Sequence, residues 1–261
     1  MVKISKMHCN MKQIVLLLTF LLSISCSQQK YFVSKIEGKK IGIENDLSSK
    51  PDIESFIKPY REHIDADLNA VLAYCPETLE KSKGKWQTNI GCFLADITLA
   101  KANEVYTKRT GKPIDVCMLN HGGIRSIIPK GNVTARNAFE VMPFENAAIV
   151  LELNGAQIVE LCNYIVAEKK PHPLAGLTFE ILKNNEVKNI LVQGKPLVLD
   201  AIYTLVTSDY LAGGGDNMVF FKKATQQTDL DYKLRNILID YFKEKDTLQF
   251  NNNLRIIELS N

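Results

Sequence analysis

The 261 residues contain no C-x-x-C pair, no G-x-G-x-x-G fingerprint and no Gly-Lys-Ser/Thr loop. The first absence removes the usual signature of zinc and thioredoxin-like redox sites. The other two remove the common dinucleotide and P-loop modes of holding phosphate. Histidine is scarce: His8, His63, His121 and His172 are the four, none beside another, and no Ser-His-Asp or Cys-His arrangement is evident. After residue 26 no apolar run is long enough to cross a bilayer. Neither sign of charge dominates, the net value being +3. The bulk composition therefore calls for no nucleic acid, although a local basic patch could still meet a phosphate.

What is present is the composition of a folded globular chain, 46% hydrophobic and 23% charged. The first residues read as an address. Lys3, Lys6 and Lys12 precede the apolar run Ile14–Leu22, and Ser23-Ile24-Ser25-Cys26 follows. A basic start, a short apolar core and small residues at its end make a secretory signal; Met11 offers a second start for a more compact version. Cys26 after small residues resembles a bacterial lipobox, with Ser23 where Leu is usual. Lipidation of Cys26 is expected, the alternative being an ordinary cleaved signal with an incidental Cys. The expected division is 1–26 signal and lipobox, 27–49 tether, 50–261 folded domain. The expected location is a bacterial cell envelope, periplasmic or surface side, with the membrane reached through the N-terminal lipid only. Cys9 falls in the leader. Cys75, Cys92, Cys117 and Cys162 are widely spaced in apolar surroundings and read as small buried hydrophobes, with a disulfide left open in an oxidising envelope.

Past residue 50 the hydrophobic period switches repeatedly. Residues 52–68 carry Ile53, Phe56, Ile57 and Tyr60 on one helical face, with Pro59 expected to kink or split the helix. Leu68–Tyr74 reads as a strand, and 89–108 as a helix stopped by Gly111 and Pro113. Ile114–Leu119 is nearly all apolar, the pattern of a strand covered on both faces. A short helix over 134–140 has Thr134 as its N-cap, and Ile149–Leu153 alternates as a strand. Asn154 caps a helix bearing Ile158, Leu161, Cys162 and Ile165. Leu177–Leu182 and Val187–Val192 form a hairpin around residues 183–186. Tyr203–Thr207 is a strand, Leu234–Tyr241 a final helix, and Leu254–Leu259 a final strand. This mixture predicts an α+β (mixed α/β) class in one domain.

Three segments carry chemistry. Asn120-His121-Gly122-Gly123-Ile124-Arg125 follows the apolar strand. Its glycines admit close backbone approach, and its Arg offers a planar fork for phosphate or carboxylate. In Phe139–Asn146, Pro143 fixes the backbone so that a loop presents Phe144. Ser208–Asn217 contains Gly213-Gly214-Gly215, a tight turn at a strand exit. The aromatic before it suits a base, and the acid after it suits ribose hydroxyls. Each segment alone has a plain structural reading: a Gly-Gly turn, a core Phe, a surface loop.

Together they resemble the C-terminal domain of the 5′-nucleotidase family, which includes the UDP-sugar hydrolases. The shared pattern is Asn120 to Arg125, then Ile128-Pro129-Lys130-Gly131-Asn132-Val133-Thr134, then Pro143-Phe144, then Asp209 to Asp216. Gln87-Thr88-Asn89-Ile90-Gly91 matches the family's lead into its first core helix. The resemblance spans about residues 50–260. It implies a layered fold with helices packed outside two mixed sheets. It also implies a substrate-binding set of Asn120, Gly122, Gly123, Arg125, Phe144, Tyr210, Gly214 and Asp216. In that set Phe144 and Tyr210 stack on the base, Asp216 holds the ribose, and Asn120 and Arg125 contact sugar or phosphate.

There are departures. Gly84 stands where the family usually has an Arg, leaving Lys83 or Lys85 to supply charge without bidentate geometry. His121 replaces a small residue and Asn217 a Gly. The family's catalytic domain, a metallophosphatase with two divalent metals, has ligand motifs that none of the four histidines matches. No catalytic residue or cofactor is expected in this chain; a separate metallophosphatase would supply the metals. The partners expected are a nucleotide or nucleoside and that enzyme. The alternative is a non-catalytic envelope nucleotide-binding or scaffold lipoprotein. An autonomous hydrolase would need an unrecognised pair such as Asp216 with His121.

Overall fold

The computed structural model describes residues 11–23, 31–42 and 48–259. Cys26, Cys9 and His8 lie outside them. The chain divides into two units, residues 1–51 and 52–261. In the first, the apolar run is a helix, α1 (Met11–Ser23). Among the described residues no helix is long and apolar enough to cross a membrane.

α2 (Pro51–Asn69), which supplies the second unit from Asp52 onward, is unbroken although Pro59 lies inside it, so the expected split does not occur. The helix carries on to Asn69, and the strand expected from Leu68 starts later, at β1 (Val71–Cys75). Then come α3 (Asn89–Thr110), β2 (Val116–Met118), β3 (Gly131–Thr134) and α4 (Ala135–Val141). They are followed by β4 (Ala147–Asn154), α5 (Gly155–Glu168), β5 (Leu174–Ala175), β6 (Leu177–Ile181), β7 (Val187–Val192) and β8 (Lys195–Pro196). The last elements are β9 (Ile202–Ser208), α6 (Asp209–Ala212), β10 (Gln226–Lys233), α7 (Leu234–Glu244) and β11 (Ile256–Glu258).

Local chemistry sets many of these boundaries. Thr88 caps α3, its hydroxyl accepting from Gly91 N–H, and Gly111 ends it in the left-handed region at φ 75°. Thr134 with Asn137, and Asn154 with Gln157, form capping boxes at the starts of α4 and α5. The Gln87–Asn89 stretch is structural: Asn89 Oδ1 accepts from Glu80 N–H at 2.8 Å, and Gln87 Oε1 accepts from Arg255 N–H at 2.8 Å.

Two mixed sheets organise the unit. The first runs β10-β4-β9-β2-β5, with only β9 and β2 parallel; the second runs β11-β6-β7-β8, with only β11 and β6 parallel. β1 and β3 add an antiparallel ribbon. The first sheet is buried on both faces, and alternate residues serve different cores. Cys117, Ala148, Val150 and Val206 face the cluster built with α3, α4 and α7. Val116, Met118, Ile149, Leu151 and Leu205 face the cluster built with α5 and the second sheet. α5 thus lies in contact with both β4 and β7. Cys75, Cys92, Cys117 and Cys162 are buried free thiols, their pKa values raised chiefly by burial. β10 escapes the sequence pattern because Gln226-Gln227-Thr228-Asp229 is polar, as befits an edge strand.

This topology brings distant segments to one edge. β2 and β9 run parallel with Val116 beside Leu205, so both exit at the same end. β4 is antiparallel to β9, with Ala148 opposite Ser208, so β4 begins at that end. β10 pairs antiparallel with β4, Lys233 opposite Ala147, so it ends there too. Ligand crevices in such sheets form outside the carboxyl ends of strands.

Candidate functional site

At that edge lies a cleft of about 340 Å³ lined by Asn120, Gly122, Gly123, Arg125, Phe144, Asn146, Tyr210 and Asp216. Seven of the eight residues expected from sequence are therefore brought together. Gly214 is not; it packs against the Lys222 side chain. Asn146 was not anticipated, although it lies in the segment singled out by Pro143-Phe144.

The exit of β2 turns through a short 3₁₀ helix, His121–Gly123. Gly123 is buried there, and a Cβ on it would stand 2.7 Å from Asn120 Oδ1. Arg125 N–H donates to Val141 O at 2.9 Å, tying this turn to the end of α4. The Arg125 guanidinium donates to Gly122 O at 3.3 Å and stands 6.0 Å from the Phe144 ring centroid. Arg125 is the one cationic side chain lining the cleft among the described residues.

The exit of β9 is not a bare glycine turn. Ser208 caps the single-turn α6, and Gly215–Asn217 forms a 3₁₀ turn after it. Asp216 takes the left-handed backbone, φ 50°, ψ 31°. Its carboxylate gathers the site: Oδ2 accepts from Asn120 Nδ2 at 2.7 Å and Oδ1 from the Tyr210 hydroxyl at 2.8 Å. Each oxygen retains a lone pair for a further donor. The Tyr210 ring lies over Gly215, where a Cβ would come within 2.5 Å of ring carbons, so that position must be Gly to seat the ring. Phe144 and Tyr210 are each 48% exposed, which leaves both rings accessible from the cleft.

Sequence reading missed the layer behind these residues. Tyr164 on α5 donates its hydroxyl to Asp216 O at 2.7 Å, and its pKa rises to about 12, chiefly through burial. His172, set between Pro171 and Pro173, is 3% exposed. Its Nδ1 accepts from the His121 backbone N–H at 3.2 Å. The neutral ring thus carries its proton on Nε2, which is buried without a partner. Burial pushes its pKa down to about 4. His121 itself is half-buried, and burial with the nearby Lys81 lowers its pKa. No local spacing signals these roles, since each depends on a partner from another element.

The lysines expected to replace the missing family Arg do not reach the cleft. Lys83 pairs with Glu80 at 2.6 Å and Lys85 with Glu258 at 2.5 Å. Gly84 has φ +105°, and a Cβ there would stand 1.9 Å from Gln87 O. Gly84→Arg should therefore create no phosphate contact. It should cost stability by about 1–3 kcal/mol, measurable by chemical denaturation; an unchanged midpoint with gained AMP affinity would contradict this.

A larger cleft of about 460 Å³ between α3, β10 and α7 offers no comparable set. There Lys101 is taken by Glu104 and Glu244, and the Tyr232 hydroxyl by Asp240. Among the described residues no group of three or more His, Cys, Asp or Glu is placed to hold a metal. No step through one is assigned to this chain.

Comparisons with known proteins fall on the same region. The family model described as 5′-nucleotidase, C-terminal domain matches residues 71–223. A 5′-nucleotidase of Vibrio vulnificus (strain CMCP6) is 28% identical over 192 residues, covering 70% of this chain and 32% of that protein. The trifunctional nucleotide phosphoesterase protein YfkN of Bacillus subtilis (strain 168) is 27% identical over 219 residues, covering 77% of this chain and 15% of that protein. The crystal structure of a 5′-nucleotidase precursor from Thermus thermophilus superposes with a TM-score of 0.67 at 26% identity. It covers 80% of this chain and 43% of that one. The chain thus spans about a third or less of the length of these two curated relatives.

Proposed function

This chain belongs to the 5′-nucleotidase C-terminal domain family, and from that premise we propose that its cleft binds a nucleoside or nucleotide. The base stacks between Phe144 and Tyr210, and the ribose hydroxyls donate to Asp216. The 5′ phosphate lies toward Arg125, with Asn120 and the Gly122-Gly123 backbone beside the sugar. The chain serves nucleotide catabolism by holding substrate for a metallophosphatase carried on a separate chain, which provides the divalent metal pair. Its place is the cell envelope, anchored through lipid on Cys26. The observation that carries this reading is the meeting of two half-exposed rings, one carboxylate and one guanidinium in a single cleft of about 340 Å³, a volume within the range of small-molecule sites.

With Lys83 and Lys85 directed elsewhere, phosphate recognition rests on Arg125. Calorimetric titration of the full chain should give saturable binding of adenosine and AMP in the micromolar to millimolar range. Arg125→Met should weaken AMP by about tenfold, the value of one charge-assisted hydrogen bond, and adenosine by much less. No binding of either ligand by the wild-type chain at millimolar concentration would remove the reading. Equal losses for the two ligands would remove the role given to Arg125.

A further inference from the structure

Phe144 stands on a loop with no regular structure of its own, yet a stacking ring works only if its backbone is held. The grip comes from the junction of β10 and α7, past the end of the 71–223 family match. Three consecutive residues there hold the loop. Lys233 Nζ donates to Glu145 O at 2.8 Å, and Leu234 N–H donates to Asn146 O at 2.9 Å. Arg235 Nη1 donates to Pro143 O at 3.2 Å, and Nη2 pairs with the Glu145 carboxylate. One guanidinium thus fastens the residues on both sides of Phe144. It also stacks on the Phe139 ring, 4.1 Å from the centroid.

Arg235 is only 7% exposed, and its Nε is buried without a hydrogen-bond partner. A buried guanidinium with an unsatisfied nitrogen is a poor stabiliser, and an apolar side chain of similar length commonly serves stability as well. Its planar fork, by contrast, holds one nitrogen on a carbonyl and another on a carboxylate in a fixed geometry, which the single flexible ammonium of Lys does not set and Met lacks altogether.

We propose that Arg235 is a positioning residue for the candidate site, clamping Pro143 and Glu145 so that Phe144 is preset for stacking. The inference rests on the binding reading above, but has a readout that does not depend on it.

In the full chain, Arg235→Met should speed amide hydrogen exchange in residues 144–146 and at Leu234, whose N–H is bonded to Asn146 O, while leaving α3 and β9 protected. Adenosine affinity should fall by about tenfold, as for the loss of one or two buried charge-assisted contacts. In a Phe144→Ala background the same change should cost less than about twofold, since there is no ring left to position. Arg235→Lys, which keeps the charge without the fork, should restore less than about half of the loss on a logarithmic scale, and it serves as the second variant should R235M fail to fold. Unchanged exchange at 144–146 and Leu234, or fully additive losses with Phe144→Ala, would overturn the clamp while leaving the binding reading intact. Failure of the wild-type chain to bind adenosine would overturn the binding reading instead, with exchange still deciding whether Arg235 holds the loop.

Discussion

Truncation of either ring, Phe144→Ala or Tyr210→Ala, should weaken adenosine binding by about 5- to 150-fold, the effect of losing one base–aromatic stack worth about 1–3 kcal/mol. Both side chains are 48% exposed, so neither change opens a core cavity, and thermal stability should stay within about 1 kcal/mol of wild type. The two sites differ in what else they hold. The Tyr210 hydroxyl donates to Asp216 Oδ1 and accepts from the Asp216 N–H at 3.2 Å. Tyr210→Phe keeps the ring and gives up both contacts, and so should fall between wild type and Tyr210→Ala. Phe144 has no such second duty. Titration calorimetry with folded variants decides the matter: unchanged affinity in both alanine variants would discard the stacking arrangement.

A second large effect is expected from His172. Its pKa is driven from 6.5 to about 4, chiefly by burial, with His121 and Lys170 acting in the same direction and Asp216 against it. The sign follows from which state takes up protons. Above pH 6.5 the ring is neutral both folded and unfolded, and the shift contributes nothing. Between 6.5 and about 4 the unfolded chain binds a proton that the folded chain refuses, so stability falls with pH; below about 4 the loss is complete. Between about pH 7 and 5 this group alone should account for about 2 kcal/mol. Denaturant unfolding at the two pH values should show that difference for wild type and a smaller one for His172→Phe, even though the variant forfeits the His121 N–H contact at both. Equal pH slopes would mean that His172 titrates normally.

Much of the local structure could be read directly from the residues. Thr88, Thr134 and Asn154 are caps because a hydroxyl or amide oxygen at that position satisfies a free helix N–H. Gly111 ends α3 because the left-handed turn there is strained for a residue with a Cβ and open to Gly. The alternation of β4 and the periodic face of α5 marked their elements, and Pro143-Phe144 marked a loop. Other readings failed for want of a long-range term. Lys83 and Lys85 looked free to serve a phosphate, but the partner of Lys85 is 173 residues away. Pro59 was expected to kink or split its helix, and the split does not occur in this exposed element. β10 opens with the polar run Gln226-Gln227-Thr228-Asp229 and alternates only over Leu230 and Tyr232, too short a signal to mark an eight-residue strand.

The sequence alone determined the kinds of groups this protein brings to its cleft: two aromatics, a carboxylate, an amide, a guanidinium and paired glycines, each in a turn or loop suited to expose it. Their meeting was decided only by the tertiary structure. The parallel register of β2 against β9, the antiparallel start of β4 and the end of β10 set Asn120, Phe144, Asp216 and Arg235 at one sheet edge. Strand pairing depends on which distant segments share a ladder, and no local pattern of residue types carries that information.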